Sequence, residues 1–250
     1  IHERLVGSEM CIRDRYLPFL RSTNKKNITI KDLLLHESGL PPYIRFYLEV
    51  IDPNSVHGPY AQSWVDEWHR TRVSEHSYYC SDFKFKKGLV SEKESSVYNL
   101  HVADKMWLNK SFKNTILQKI ARCEMDSKRY VYSDLGFILL QQVVESIVKL
   151  PMDLYLAKEF YAPMGLQRTM YLPLQKYSKE EIMPTAANDF LRRQDLCGYV
   201  HDEAAACMGG ISGNAGLFST ASEVAKIYQM ILNGGEWNGK RYLCLLYTSP

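Results

Sequence analysis

No stretch of the 250 residues approaches the roughly 20 uninterrupted apolar residues that a membrane-spanning helix needs, and the first residues lack the order of a signal peptide. Localisation has to be inferred from other features. Basic runs are equally scarce. The longest patch is Lys84-Phe85-Lys86-Lys87, and 31 Lys and Arg against 28 Asp and Glu leave a net charge of only +3. Nothing in that balance points to a nucleic acid partner or an anionic membrane surface. The glycine-rich stretch has neither a P-loop lysine nor a nucleotide fingerprint, and His57, His69 and His76 lack a repeated ligand spacing. No metal and no cofactor is therefore expected. What remains is a chain with 46% hydrophobic and 12% aromatic residues, enough for one sizeable core or a core with a smaller lobe.

The two ends differ in character from the rest. Val6 to Asp14 and Cys244 to Pro250 read as translated library-adapter sequence, so 1–15 and 244–250 are taken as non-native and 16–243 as the natural fragment. Setting the ends aside removes Cys11 and Cys244. Cys80, Cys123, Cys197 and Cys207 then match neither a paired-cysteine metal site nor a dense disulfide framework, and are expected as free thiols.

The most informative stretch is Tyr132-Ser133-Asp134 followed by the apolar run from Leu135 to Leu150. Leu140, Val143, Val144 and Ile147 repeat at helical spacing, and Ser133 or Asp134 is a natural N-cap. The phenol of Tyr132 is thereby fixed beside the start of a helix. A phenol with an ordinary pKa of about 10 is a useless base at neutral pH unless a cation or helix dipole lowers it. That requirement predicts a lysine partner.

Elsewhere the punctuation is local. Thr29 and Asp32 form a capping pair for a short helix that Gly39, Pro41 and Pro42 stop. Residues 43–126 read as an irregular lobe or insertion with a helical piece near 102–120. Pro151 opens a helix that Pro163 and Gly165 end; 169–174 suggests a short strand, and 175–195 a polar connection broken by Pro184. Gly209, Gly210, Gly213 and Gly216 demand close backbone approach or positive φ. Thr220 and Glu223 then start a helix with Val224, Ile227, Tyr228 and Ile231 as its buried stripe, and Trp237-Asn238-Gly239-Lys240 is a tight turn.

Three blocks stand in fixed order: Leu33-Leu34-Leu35-His36-Glu37-Ser38-Gly39-Leu40, Tyr132-Ser133-Asp134-Leu135-Gly136-Phe137, and Gly209-Gly210 through Phe218-Ser219-Thr220-Ala221. Together they resemble the β-lactamase-related serine hydrolases, the superfamily of class C β-lactamases, penicillin-binding carboxypeptidases and related esterases. Tyr171-Leu-Pro-Leu, Phe190-Leu-Arg-Arg and His201-Asp-Glu look most like the module that follows a family-3-type glycoside hydrolase domain in long bacterial envelope proteins. The resemblance implies an α+β fold, an antiparallel sheet flanked by helices plus a helical lobe, incomplete at both ends. It also implies a periplasmic or secreted location and a small-molecule or peptidoglycan-like substrate.

In such hydrolases a serine in S-x-x-K attacks a carbonyl, its lysine and the tyrosine of Y-x-N manage the proton, and a K-T-G-type strand lines the acyl site. Tyr132 matches the tyrosine, and Asp134 falls where asparagine is usual, so these two are the candidate catalytic residues. An aspartate would hold the lysine charged more firmly and make it a poorer base. The nucleophile is expected upstream of residue 16 and the K-T-G equivalent beyond Tyr242, leaving the chain itself inactive. Ser22 to Lys25, Ser81 to Lys84 and Ser146 to Lys149 fit S-x-x-K by letter, but none opens an apolar helix. Ser38 reads as a turn bracing the site, and His201-Asp202-Glu203 as a loop anchor. The alternative is a non-catalytic binder of cell-wall peptide or glycan attached to a glycoside hydrolase.

Overall fold

The computed structural model describes residues 16–80 and 82–243. A first short helix, α1 (Ile30–Leu34), starts where Thr29 and Asp32 satisfy each other's backbone. Thr29 N donates to Asp32 Oδ2 at 2.8 Å, and Asp32 N to Thr29 Oγ1 at 3.1 Å. Past α1 the chain turns at Gly39, whose φ is +77°; a Cβ there would overlap the carbonyl oxygen of Asp126. That position admits only glycine, because a second strand of chain lies against it.

The lobe carries two three-stranded antiparallel sheets. One has the order β1 (Ala61–Gln62), β3 (Ser77–Tyr79), β2 (Thr71–Ser74); the other β4 (Val90–Ser91), β6 (Met106–Asn109), β5 (Tyr98–Ala103). Helix α2 (Phe112–Arg122) follows. The helical piece expected near 102–120 is therefore half hairpin. Val102, Met106 and Leu108 are buried, and Lys105 takes a φ of +51° at a tight turn that a helix cannot hold. The lobe is not a separate body: Phe46, Val50 and Phe112 join Leu33, Leu135, Ile138 and Leu139 in one core.

Helix α3 (Asp134–Val148) buries Leu135, Gly136, Ile138, Leu139, Gln141 and Val143. Of the four residues whose spacing defined its stripe, only Val143 is fully enclosed, and Ile147 is exposed, because the second half of the helix leaves the core. Lys149, in the left-handed conformation, closes it ahead of Pro151. Helix α4 (Met152–Leu156) continues as a wider π-type turn through Ala157–Tyr161 and stops before Gly165. No single helix among the described residues is long and apolar enough to cross a membrane; α3 and α4 together pass on length and composition, but bend by 68°.

The expected strand over 169–174 is a single bridge, Met170 to Phe218, followed by a 3-10 turn at Pro173–Gln175. The polar connection holds a hairpin instead, β7 (Pro184–Asp189) with β8 (Gln194–Cys197). Pro184 does not break it, since the first residue of an edge strand has no ladder bond to lose. In the hairpin turn Arg192 and Asp189 form an ion pair, with side chains 0% and 1% exposed.

Helix α5 (Glu203–Cys207) is capped by Asp202, whose Oδ1 accepts from Ala205 N at 2.7 Å. Helix α6 (Ala221–Leu232) begins at Thr220. Its expected capping box forms only in part: Thr220 Oγ1 accepts from Glu223 N, but the Glu223 carboxylate turns to Gln167 N, Arg168 N and Thr169 Oγ1. Burial alone would raise the pKa of Glu223; those hydrogen bonds hold it below the usual value. The expected buried stripe is also displaced. Of the expected stripe only Ile227 packs inward, with Met230, against Tyr161, Met164 and Leu166; Val224, Tyr228 and Ile231 are exposed, and Glu223 faces inward instead. The last hairpin, β9 (Glu236–Trp237) with β10 (Lys240–Arg241), turns at Asn238 and Gly239 as expected, both with positive φ. Cys80, Cys123, Cys197 and Cys207 are free, and Cys80 and Cys207 are buried.

Candidate active site at the head of helix α3

The segment before α3 is stitched to the segment after α1 by main-chain and side-chain bonds. Val131 N donates to His36 O at 2.9 Å, Ser133 Oγ to Pro41 O at 2.7 Å, and Asp134 N to Pro42 O at 3.1 Å. Ser133 thus holds the N-cap position while spending its hydroxyl on another segment. Its own N–H donates to His36 Nδ1 at 3.1 Å. The His36 ring lies 4.7 Å from that of Tyr132 and 5.2 Å from that of Phe137. Ser38 is buried in the turn and accepts from Leu40 N, a bracing role.

Tyr132 is 58% exposed and donates its phenol proton to Asp134 Oδ1 at 3.1 Å. The charge of Asp134 and that hydrogen bond push the phenol's pKa above its ordinary value, with burial and the charge of Asp202 adding to the effect. Burial also raises Asp134, reinforced by Asp202 and opposed by the Tyr132 hydrogen bond and by His36. Among the described residues no lysine or arginine forms an ion pair with Asp134 or Asp202. The phenol is therefore held protonated in an anionic corner, the reverse of what a base requires. Asp134→Asn should lower the Tyr132 pKa, read from the ring-carbon shift in a pH titration; an unchanged midpoint would show that Asp134 does not set it.

The far side of this corner comes from the glycine-rich turn. Gly213 packs so closely on α3 that a Cβ would overlap the Phe137 carbonyl. Gln141 clamps the turn, its Oε1 accepting from Gly213 N and its Nε2 donating to Ile211 O. Asn214 Nδ2 donates to Asp202 Oδ1 at 3.2 Å, so Asp202 anchors both α5 and this turn. Neither His36 nor Gln141 is a site candidate from sequence alone, and Asn214-Ala215-Gly216, which resembles K-T-G by letter, is set aside there because a helix follows it. Gln141 carried a signal, a polar side chain in the middle of an apolar run; His36 and Asn214 become neighbours only through the tertiary fold.

The S-x-x-K candidates lie elsewhere. Lys25 is fully buried, its ammonium held by Asn24 Oδ1 and the Cys123 carbonyl. Ser146 bonds back to Val143 O in the last turn of α3, about 18 Å along the axis from Asp134 at 1.5 Å per residue. Ser81 lies outside the described residues. Two wide grooves, of about 690 Å³ over the Asn114–Cys123 face of α2 and about 520 Å³ between 177–185 and 217–220, include neither Tyr132 nor Asp134.

A family model described as Beta-lactamase matches residues 89–243, from the second lobe sheet through the Tyr132 corner and the glycine-rich turn to the last hairpin. The chain belongs to the β-lactamase family. Within that family it is 34% identical over 152 residues to a protein of Salmonella agona (strain SL483) named as a candidate D-alanyl-D-alanine carboxypeptidase. A protein of the same name from Salmonella schwarzengrund (strain CVM19633) is 35% identical over the same length. Each match covers 55% of this chain and 35% of the relative, so the chain spans about a third of the length of these curated relatives. Among solved structures, a candidate β-lactamase from Bacteroides dorei DSM 17855 superposes with a TM-score of 0.50 at 13% identity, over 97% of this chain and 47% of that one. Simvastatin synthase (LovD) from Aspergillus terreus gives 0.50 at 16%, over 98% and 50%. The fold of this β-lactamase-family chain is accordingly the α+β β-lactamase-like fold, with antiparallel sheets and helices.

Proposed function

We propose that the chain carries the proton-handling part of a serine hydrolase that cleaves an amide or ester through an acyl-enzyme, with a D-alanyl peptide of the cell wall as substrate. The observation that carries this reading is the anionic corner itself. The Tyr132 phenol bonds Asp134 and feels the charge of Asp202, with no lysine or arginine paired to either carboxylate among the described residues. An ammonium entering there would pair with Asp134 and lower the phenol's pKa, and the lysine of a Ser-x-x-Lys supplied by sequence outside the described residues is that group. The chain alone then turns over neither ester nor β-lactam, and the intact protein works in the cell envelope. The names of the Salmonella relatives favour a D-alanyl peptide over a simple ester.

The test is made on the intact gene product. Tyr132→Phe should lower kcat for release of D-alanine from a D-alanyl-D-alanine peptide by about 10²–10⁴-fold, the usual worth of a positioned acid or base, with little change in KM. Wild-type kcat in that variant would overturn the assignment. A second reading, non-catalytic binding of cell-wall peptide or glycan beside a fused glycoside hydrolase domain, draws on the raised phenol pKa and on Asp134 in the Y-x-N position. It requires that the intact protein take no covalent label from a fluorescent penicillin.

A further inference from the structure

A further concave site lies where the lobe hairpin meets residues 172–175 and 198–209, apart from the Tyr132 corner. It is a cleft of about 330 Å³, within the size range of small-ligand sites, and its wall is aromatic. His101 of β5 and Trp107 of β6 are directly opposed across the hairpin, and their rings stack at 4.3 Å with 2° between planes. Tyr199 meets His101 edge-on at 5.0 Å. Its hydroxyl bonds His101 Nε2 at 3.1 Å and donates to Asp104 Oδ1 at 2.8 Å. Asp104 is in turn paired with Lys179, and its backbone N–H donates to Gln194 Oε1. The aromatic wall is thus locked in place by bonds running away from the cleft. The opposite side is Leu172 and Leu174, with Gly198 at a φ of +79° where a Cβ would come within 2.5 Å of Leu174 Cγ.

The rim contrasts with this rigid wall. Glu94, Asn99 and Gln175 line the cleft, are exposed, and make no side-chain hydrogen bond or ion pair to any other described residue. Two amides that both donate and accept, and one carboxylate acceptor, surround a flat apolar plate. A pyranose has the complementary surface, a C–H face to lie on aromatic rings and hydroxyls around its edge. No arginine lines the cleft to take a phosphate, and Lys179 neutralises Asp104, leaving Glu94 as the one unpaired charge and little to hold a cation.

We propose that this cleft is a saccharide-binding site, with the outer face of Trp107, backed by the His101 ring stacked behind it, as platform and Glu94, Asn99 and Gln175 as hydroxyl ligands. The site goes beyond the acyl-transfer reading and does not depend on it. It shares one segment with the Tyr132 corner: Gly198, Tyr199 and Gly209 face the cleft, and Asp202 and Asn214 face the corner.

Calorimetric titration of the full chain with tri-N-acetylchitotriose and, separately, maltotriose tests it, since the heat of binding is read without any acyl transfer. Saturable binding of at least one sugar with Kd of about 0.1–10 mM is expected. Asn99→Ala and Gln175→Ala, at exposed positions without partners, should each weaken it about fivefold or more at unchanged Tm, and Trp107→Ala should abolish it. No binding of either sugar at about 10 mM, or the same Kd in the two amide variants, would overturn the proposal, whether or not the Trp107 variant folds. Preferential binding of choline over both sugars would overturn it as well.

Discussion

Arg192→Met should cost about 3–5 kcal/mol of unfolding free energy, the range found when one partner of a buried ion pair is removed. The guanidinium has no solvent to fall back on, and it makes four side-chain hydrogen bonds. Nε donates to Asp189 Oδ1 at 2.8 Å, Nη2 to Asp189 Oδ2 at 2.6 Å and to His201 O at 2.6 Å, and Nη1 to Val200 O at 3.0 Å. Methionine fills much of the volume but leaves the buried Asp189 carboxylate, and the part-buried carbonyls of Val200 and His201, without these donors. At about 2–4 °C per kcal/mol for a chain of this size, Tm should fall by about 6–20 °C. A double variant, Asp189→Leu with Arg192→Met, removes the stranded charge and should recover part of the loss. The carbonyls matter beyond stability. Val200 and His201 immediately precede Asp202, so the same substitution loosens the residue that anchors α5 and the glycine-rich turn. Denaturant melts of the single and double variants decide the matter; a single-variant cost below about 1 kcal/mol would mean that water reaches the pair.

Gly213→Ala should cost about 3 kcal/mol, the upper part of the range for overpacking a closed contact. A Cβ at 213 would overlap the carbonyl oxygen of Phe137 and come within 3.3 Å of Gln141 Cβ. Neither neighbour can step aside. The first is helix backbone, and Gln141 is itself committed to Gly213 N and Ile211 O. The turn must therefore lift off α3, breaking both bonds and carrying Asn214 from Asp202. Gly88 and Gly165 are the controls. Both have positive φ, but a Cβ at either meets nothing within 4 Å, so alanine there pays only the conformational cost of about 1 kcal/mol. Equal melting temperatures for the Gly213 and Gly165 variants would contradict the clash argument.

The parts of this structure that could be read from sequence are those decided within a few residues. The Thr29–Asp32 box, the start of α3 at Asp134 and the Asn238–Gly239 turn each depend on neighbours in the chain, and each stands where expected. The β5–β6 hairpin was hidden because Val102 to Ile120 contains apolar residues at helical intervals on both sides of a turn that only Lys105 marks. Helix α6 was misoriented because it has apolar residues on two faces. The choice between them is made by Glu223, whose carboxylate is drawn inward by the backbone of 167–168 and by Thr169, and the stripe of Val224, Tyr228 and Ile231 is turned outward as a result. At the site, Tyr132 and Asp134 were legible as a pair two residues apart. The lysine expected beside them is not among the described residues; the ring that does lie against Tyr132 is His36, almost a hundred residues away in the chain.

The hydrogen bond from Asp126 N to Gly39 O, at 2.9 Å, has a consequence for how such a chain can change over generations. The lobe enters and leaves the body through one doorway, which the buried Lys25 ammonium on the Cys123 carbonyl holds shut from beside it. Glu75 and His76 at the lobe's outer tip are about four-fifths exposed, whereas the base of the lobe shares its core with Leu135 and Ile138 of α3. Lengthening a surface loop costs only about 0.6 kcal/mol per doubling. The tip can thus vary in length and acquire new contacts at little cost, so long as the shared core at the lobe's base is left alone.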